Sequence, residues 1–151
     1  MSLVLEQFLP YRLNRLADSL SKNASQAYKS EYGLSRPEWR AFALLGQQGT
    51  MTATEIAHFS TMDKTKVSRA LYALEKRSWL IRNQDDKDRR LEHLALTPAG
   101  QKAYEILVPK MLKIETDMIA RLGETNFAAL NQGLDALESL FADETIALNS
   151  K

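Results

Sequence analysis

Apolar residues recur with the period of a helix along most of this chain and with the period of a strand in one short stretch. Leu5, Leu9, Leu13, Leu16 and Leu20 step by four, four, three and four, which draws one stripe along a helix. Proline is tolerated in a first turn and costly deeper in, so Pro10 sets the start of this helix near Leu9. It runs to Tyr32, Gly33 stops it, and residues 3 to 8 form a separate arm or a short turn of helix. Ser35-Arg36-Pro37-Glu38 has capping-box spacing, and Trp39, Phe42 and Leu45 follow as an apolar face. A second helix is therefore expected over about 36–47, ended by Gly46 to Gly49. Thr52-Ala53-Thr54-Glu55 repeats the box and opens a short third helix carrying Ile56, Ala57 and Phe59.

Asp63 is placed to cap a fourth helix with two unlike sides. Val67, Ala70, Leu71 and Leu74 fall together on a helical wheel, while Thr65, Arg69, Tyr72 and Lys76 gather at the opposite pole. After Lys76 the period changes. Residues 80–84 and 92–96 read as two short strands around the polar run Asp85-Asp86-Lys87-Asp88-Arg89-Arg90, a hairpin with a charged tip. Thr97-Pro98 opens a fifth helix with Leu107, Met111, Ile114, Met118 and Leu122 along one side. Pro109 is expected to bend it and Gly123 to end it. Thr125 starts a sixth, in which Phe127, Leu130, Leu134, Leu137 and Phe141 step by three, four, three and four.

The expected fold is mainly α: a winged helix-turn-helix over 35–97 with a small β-hairpin wing, flanked by long helical segments over 1–34 and 98–151. The terminal helices carry more apolar face than a small winged region can cover, which predicts a homodimer joined through both termini. The terminal regions are thus dimerisation regions. Two recognition helices would then address two half-sites of duplex DNA one helical turn apart.

Charge sharpens this picture. Between Lys64 and Arg82 there are six bases against one acid, a local charge of +5, whereas the whole chain is only +1. A near-neutral chain that gathers its positive charge on one short element aims that element at an anion, and duplex DNA is the default partner. Lys64, Thr65, Lys66, Ser68, Arg69, Tyr72 and Lys76 on the helix, with Asp88, Arg89 and Arg90 in the wing, are the candidate contacts. There is no cysteine, which removes disulfides and thiolate metal sites. His58 and His93 are far apart, so no metal centre is expected; His58, at the end of its helix, either touches phosphate or is simply exposed. No nucleophile with a nearby base and no phosphate-cradling Gly-rich loop is present, so neither an enzyme nor a cofactor is expected. No apolar run approaches the roughly 20 residues of a membrane span, and the first residues lack a signal-peptide layout, which predicts a cytoplasmic protein without membrane contact.

From about Leu13 through the C-terminal helices the chain resembles the MarR family (multiple antibiotic resistance regulators) of winged-helix transcription factors. The resemblance rests on Gly33-Leu34-Ser35 with Trp39, on Thr54-Glu55-Ile56-Ala57, on Lys66-Val67-Ser68-Arg69 leading to Leu74-Glu75, and on Asp88-Arg89-Arg90 followed by Leu94-Ala95-Leu96-Thr97-Pro98-Ala99-Gly100. It implies a dimeric regulator, most often a repressor, bound to an imperfect palindrome. Thr65, Lys66, Ser68 and Arg69 would contact bases or phosphates in the major groove. In the wing, Arg90 held by Asp88 would enter the minor groove, with Arg89 as the alternative. The resemblance also implies a small anionic, commonly aromatic effector in a cleft between the dimerisation helices and the winged region, here lined by Tyr11, Arg15, Trp39 and Phe42. Where the family has glycine after the recognition helix, this chain has Ser78-Trp79, so a serine must take a left-handed conformation at a cost on the order of 1 kcal/mol. The competing reading is a winged-helix module that binds protein and not DNA.

Overall fold

A computed structural model describes the backbone of residues 1–148 and the side chains of residues 1–142; the last three residues of the expected dimerisation region lie outside it. The elements are a 3-10 turn at Leu5–Gln7, then α1 (Leu9–Tyr32), α2 (Arg36–Gln48), α3 (Ala53–Ser60), α4 (Lys64–Lys76), β1 (Leu80–Gln84), β2 (Glu92–Leu96), α5 (Pro98–Leu122) and α6 (Glu124–Leu148). The expected mainly helical fold with a two-stranded wing is what forms.

Local chemistry explains the boundaries. Both capping boxes close: the Glu38 N–H donates to Ser35 Oγ at 3.3 Å, and Ser35 N–H donates back to Glu38 Oε2 at 3.3 Å. The Glu55 N–H donates to Thr52 Oγ1 at 3.2 Å, and Thr52 N–H to Glu55 Oε2 at 2.7 Å. Each box satisfies donors that a helix start leaves without partners. Gly33 ends α1 at φ +63°. α2 ends within the expected Gly46 to Gly49 stretch, capped by Gly49 and passing through Gly46. Gly46 lies inside the helix, where a Cβ would stand 2.5–2.6 Å from the Tyr104 ring, so this glycine admits a neighbour and the helix continues to its cap at Gly49.

After α4 the predicted left-handed serine is present, with Ser78 at φ +60°. Its N–H donates to the Glu75 carbonyl at 2.8 Å and Trp79 N–H to the Leu74 carbonyl at 3.0 Å, closing the helix end as a glycine would. The Ser78 carbonyl in turn accepts Thr97 Oγ1–H at 2.6 Å, and Thr97 Oγ1 accepts the Gly100 N–H at 3.1 Å as the cap of α5. One threonine thus fixes both the exit from α4 and the start of α5. α5 runs on through Pro109 without a break.

The chain divides into two compact units, residues 1–112 and 113–151. In the first, Val67, Ala70, Leu71 and Leu74 of α4 are buried together with Phe42 and Leu45 of α2, Ile56 of α3, Leu80 and Leu94 of the wing, Tyr28 of α1 and Leu107 of α5. β1 and β2 pair antiparallel from Leu80↔Leu96 to Gln84↔Glu92, and Met51 bridges Leu94 as a one-residue third strand. Phe59 does not join this core and is 62% exposed. Ile56 and Ser60 set the buried side of α3, and Phe59 stands about 100° of helical rotation from Ser60. On the α1 stripe Leu9, Leu16 and Leu20 are exposed. In the second unit, Gly123 at φ +88° separates the end of α5 from α6, on which Leu130 (47%) and Leu140 (69%) are exposed.

Candidate nucleic-acid interface

The α3–α4 connection is short because two side chains shape it. Thr61 takes φ +56° after α3, and Asp63 accepts the Lys66 N–H at 2.8 Å, satisfying a first-turn donor of α4. With its apolar side buried against α2 and α3, α4 turns Lys64, Thr65, Lys66, Ser68, Arg69, Tyr72 and Lys76 outward, all exposed. Tyr72 is 57% exposed, and Lys76 Nζ lies 5.1 Å from its ring centroid, a cation resting on an aromatic face.

The six bases counted from the sequence do not share one task. Arg82 donates from Nε to Glu75 at 3.2 Å and from Nη1 to Glu92 at 3.1 Å, tying the last turn of α4 to β2. Arg77 turns away to the end of α1, where Nη1 donates to the Tyr32 carbonyl at 2.8 Å. Lys64, Lys66, Arg69 and Lys76 remain on the exposed face, and among the described residues only Lys66 of these four has a carboxylate within reach, Asp63 at 4.0 Å. A wheel separates buried from exposed positions but cannot show that an arginine at a helix end is satisfied by another element.

The wing tip is tied by two aspartates. Asp85 Oδ1 accepts the N–H groups of Lys87 and Asp88, both at 2.9 Å, while Oδ2 lies 2.8 Å from His93 Nε2. The His93 contact first, and then the Asp88 and Lys87 N–H groups, hold the Asp85 carboxyl down at about 2. Asp88 Oδ1 accepts the Arg90 N–H at 2.9 Å. Asp88 therefore holds Arg90 by its backbone and leaves the guanidinium exposed, as is that of Arg89. Sequence reasoning missed the Asp85–His93 pair. The strand register was its signal: Gln84↔Glu92 is the last pair, so one residue beyond on β1 and one residue inward on β2 can meet across the hairpin mouth.

The four residues expected to line an effector cleft fall into two pairs, Tyr11 with Arg15 on α1 and Trp39 with Phe42 on α2, the last two with ring centroids 6.5 Å apart. Tyr11 and Arg15 line a hollow of about 240 Å³ on α1 with Glu6, Arg12, Leu16 and Ser19, the Arg15 guanidinium 5.8 Å from the Tyr11 ring centroid. Phe42 is 0% exposed, stacked on Trp79 at 5.1 Å and edge-on to Tyr104 at 5.8 Å. Trp39, half-buried, stacks on Tyr28 at 5.5 Å. Phe42 is core because its neighbours in the fold, Trp79 and Tyr104, are distant in sequence and enclose it. A second hollow, of about 480 Å³, is lined by Asn14, Asp18, Arg36, Arg40, Thr61 and Lys66 among others. His58 is exposed, edge-on to the Phe59 ring. Among the described residues no cluster of His, Asp or Glu is arranged to hold a metal ion, and no helix is long and apolar enough to cross a membrane.

The short helix, the capped basic helix, and the first strand and tip of the hairpin with its two exposed arginines fall within residues 34–91, which a MarR family model matches. Residues 34–91 are thus a MarR family region. The chain is 29% identical over 116 residues to the HTH-type transcriptional regulator YwoH of Bacillus subtilis, a match spanning 77% of this chain and 83% of YwoH. Among solved structures, the MarR family transcriptional regulator SPO1453 of Silicibacter pomeroyi superposes with a TM-score of 0.80 at 25% identity, covering 93% of this chain and 99% of that one. BpsR of Bordetella bronchiseptica, whose DNA binding is regulated by 6-hydroxynicotinic acid, shares the fold at 20% identity with a TM-score of 0.77, over 91% of this chain and 98% of BpsR.

Proposed function

We propose that this protein is a homodimeric MarR regulator that binds an imperfect DNA palindrome and represses transcription until a small acid releases it. The observation that carries the reading is the division of labour among the cations. Arg77 and Arg82 are consumed by the fold, whereas Lys64, Lys66, Arg69 and Lys76 on α4 and Arg89 and Arg90 in the wing face outward. Thr65, Ser68, Arg69 and Tyr72 would meet base edges in the major groove, and Lys64, Lys66 and Lys76 the phosphates. Arg90, with Arg89 as its alternative, would enter the minor groove, where a narrow groove concentrates negative potential. In this division of roles residues 35–97 read DNA, and 1–34 with 98–151 join the two copies. The exposed leucines of α1, and separately those of α6, support that joining.

For the effector, the hollow lined by Arg36, Arg40 and Lys66 offers three cations against one carboxylate, Asp18. Lys66 belongs to α4, so an anion held there would withdraw a cation from DNA. The Tyr11–Arg15 hollow is the alternative place. Regulation of BpsR by 6-hydroxynicotinic acid supports the chemical class, and linkage requires that DNA weaken the acid by the factor that the acid weakens DNA. Selection of bound sequences from a random duplex pool tests the whole reading. It should return two inverted half-sites about one helical turn apart. Recovery of no sequence, with binding insensitive to salt, would leave a protein partner as the reading. The exposed Phe59 and Ile81 are the surface that reading would use.

A further inference from the structure

Arg77 is, with Arg82, one of two cations of the α4–β1 stretch that the DNA-binding reading leaves over. It follows the last turn of α4, yet its guanidinium lies against the C-terminal end of α1. Nη1 donates to the Tyr32 carbonyl at 2.8 Å and Nη2 to the Gly33 carbonyl at 3.4 Å, while Nη2 lies 3.9 Å from Glu38 Oε2, the carboxylate that closes the α2 capping box. The guanidinium carbon also lies 5.3 Å from the centroid of the Trp79 ring, against which the Tyr32 ring stands edge-on at 4.9 Å. The last carbonyls of a helix have no partners within it and carry the negative end of its dipole, so a cation there is well placed. A planar fork can take two adjacent carbonyls at once, and an ammonium cannot do so in the same geometry. One side chain therefore clamps the end of α1 to the end of the recognition helix and to the start of α2.

We propose that Arg77 is a positioning residue for DNA binding: it makes the recognition helix move with α1, and so sets the spacing at which two recognition helices are presented. This rests on the dimeric DNA-binding reading above. Arg77 makes no DNA contact in this role. Its removal leaves each winged unit able to hold one half-site and loosens the distance between two.

The test compares the wild type with R77K and R77A, and with R69A as a contact control, on a single half-site and on palindromes whose half-site separation is varied by one and two base pairs. Melting temperatures confirm that each variant is folded. The wild type should prefer one separation. R77K and R77A should hold the single half-site within about twofold of wild type while losing most of the gain from a correctly spaced second site, a gain that depends on geometry through effective concentration. R69A should weaken the single half-site itself and keep the spacing preference. Equal losses on half-site and palindrome in R77K, or an unchanged spacing preference in both Arg77 variants, overturn the proposal.

Amide exchange supplies a second arm that needs no DNA. In R77K the N–H groups of Gly33, Leu34 and Ser78 should exchange faster than in wild type, and unchanged exchange overturns the clamp even if R77A fails to fold. If the wild type binds no palindrome but the exchange result holds, the DNA-binding reading fails and the clamp stands without its role in spacing.

Discussion

Helices α4 and α6 carry the same kind of apolar stripe, and their fates differ. On α4 the stripe of Val67, Ala70, Leu71 and Leu74 is at most 2% exposed, enclosed by α2, α3 and the wing. On α6 the stripe residues Leu130 and Leu134 are each more than a third exposed. Periodicity reports that a face wants burial, and it does not report whether the covering surface belongs to the same chain. For α4 it does. For α6 the apolar surface left open is what a second copy would cover, so the two stripes should respond differently to substitution.

The largest difference should come from truncating the core beneath α4. Phe42→Ala removes a fully buried ring enclosed by Trp79 and Tyr104 and should cost about 3–5 kcal/mol, measured by urea denaturation. A loss below about 1 kcal/mol would mean the ring is not enclosed as described. The counterpart on α6 is Leu130→Glu. It should split the proposed dimer in sedimentation equilibrium while leaving the winged region's circular dichroism intact. A variant that remains dimeric would remove α6 from the interface.

Smaller effects sharpen the account around α4. Ser78→Gly should stabilise the protein by up to about 1 kcal/mol, because glycine takes the left-handed conformation without the steric cost that serine bears. Destabilisation would show that the serine side chain does something the backbone contacts do not reveal. The smallest effect concerns pH. Asp85 has its folded value depressed to about 2 from 3.8. Its contribution is therefore fully present above the ordinary carboxyl value and is lost as pH falls from about 4 through about 2. The Lys87 and Asp88 amide resonances should shift across that window in the wild type, and Asp85→Asn should abolish the step. Identical titrations in both proteins would show that Asp85 does not tie the wing.

Most of this fold was legible in the chain because its boundaries are set by local chemistry. Two capping boxes, the Asp63 cap, Thr97-Pro98 and the Gly33 and Gly123 stops each act over a few residues, so spacing alone finds them. Of the glycines in the Gly46 to Gly49 stop, Gly49 caps α2, while the part of Gly46 in admitting a ring was not legible because Tyr104 lies 58 positions away. Phe59 misled because a two-turn helix gives too few positions to fix which side is buried. At the candidate site, the exposed face of α4 and the wing arginines were legible as a pattern. The diversion of Arg77 to the end of α1 and of Arg82 to Glu75 and Glu92 was not, since each depends on other elements of the fold. Ser78 was the reverse case: a departure from glycine, recognised in the sequence, whose backbone consequence is seen at φ +60°.

The central claim is that α4 and the wing read the two grooves of one DNA site with the cations the fold leaves free. The most direct measurement is the salt dependence of binding to the selected palindrome for wild type, Arg90→Ala and Arg69→Ala. Wild-type affinity should fall steeply between 50 and 200 mM salt, by about 10³-fold or more if roughly six phosphates are neutralised. Arg90→Ala should bind more weakly with its melting temperature unchanged, and Arg69→Ala should alter which half-site sequences are preferred, each base-reading contact being worth about 1–3 kcal/mol. Affinity that is flat in salt and unchanged in both variants would contradict the account.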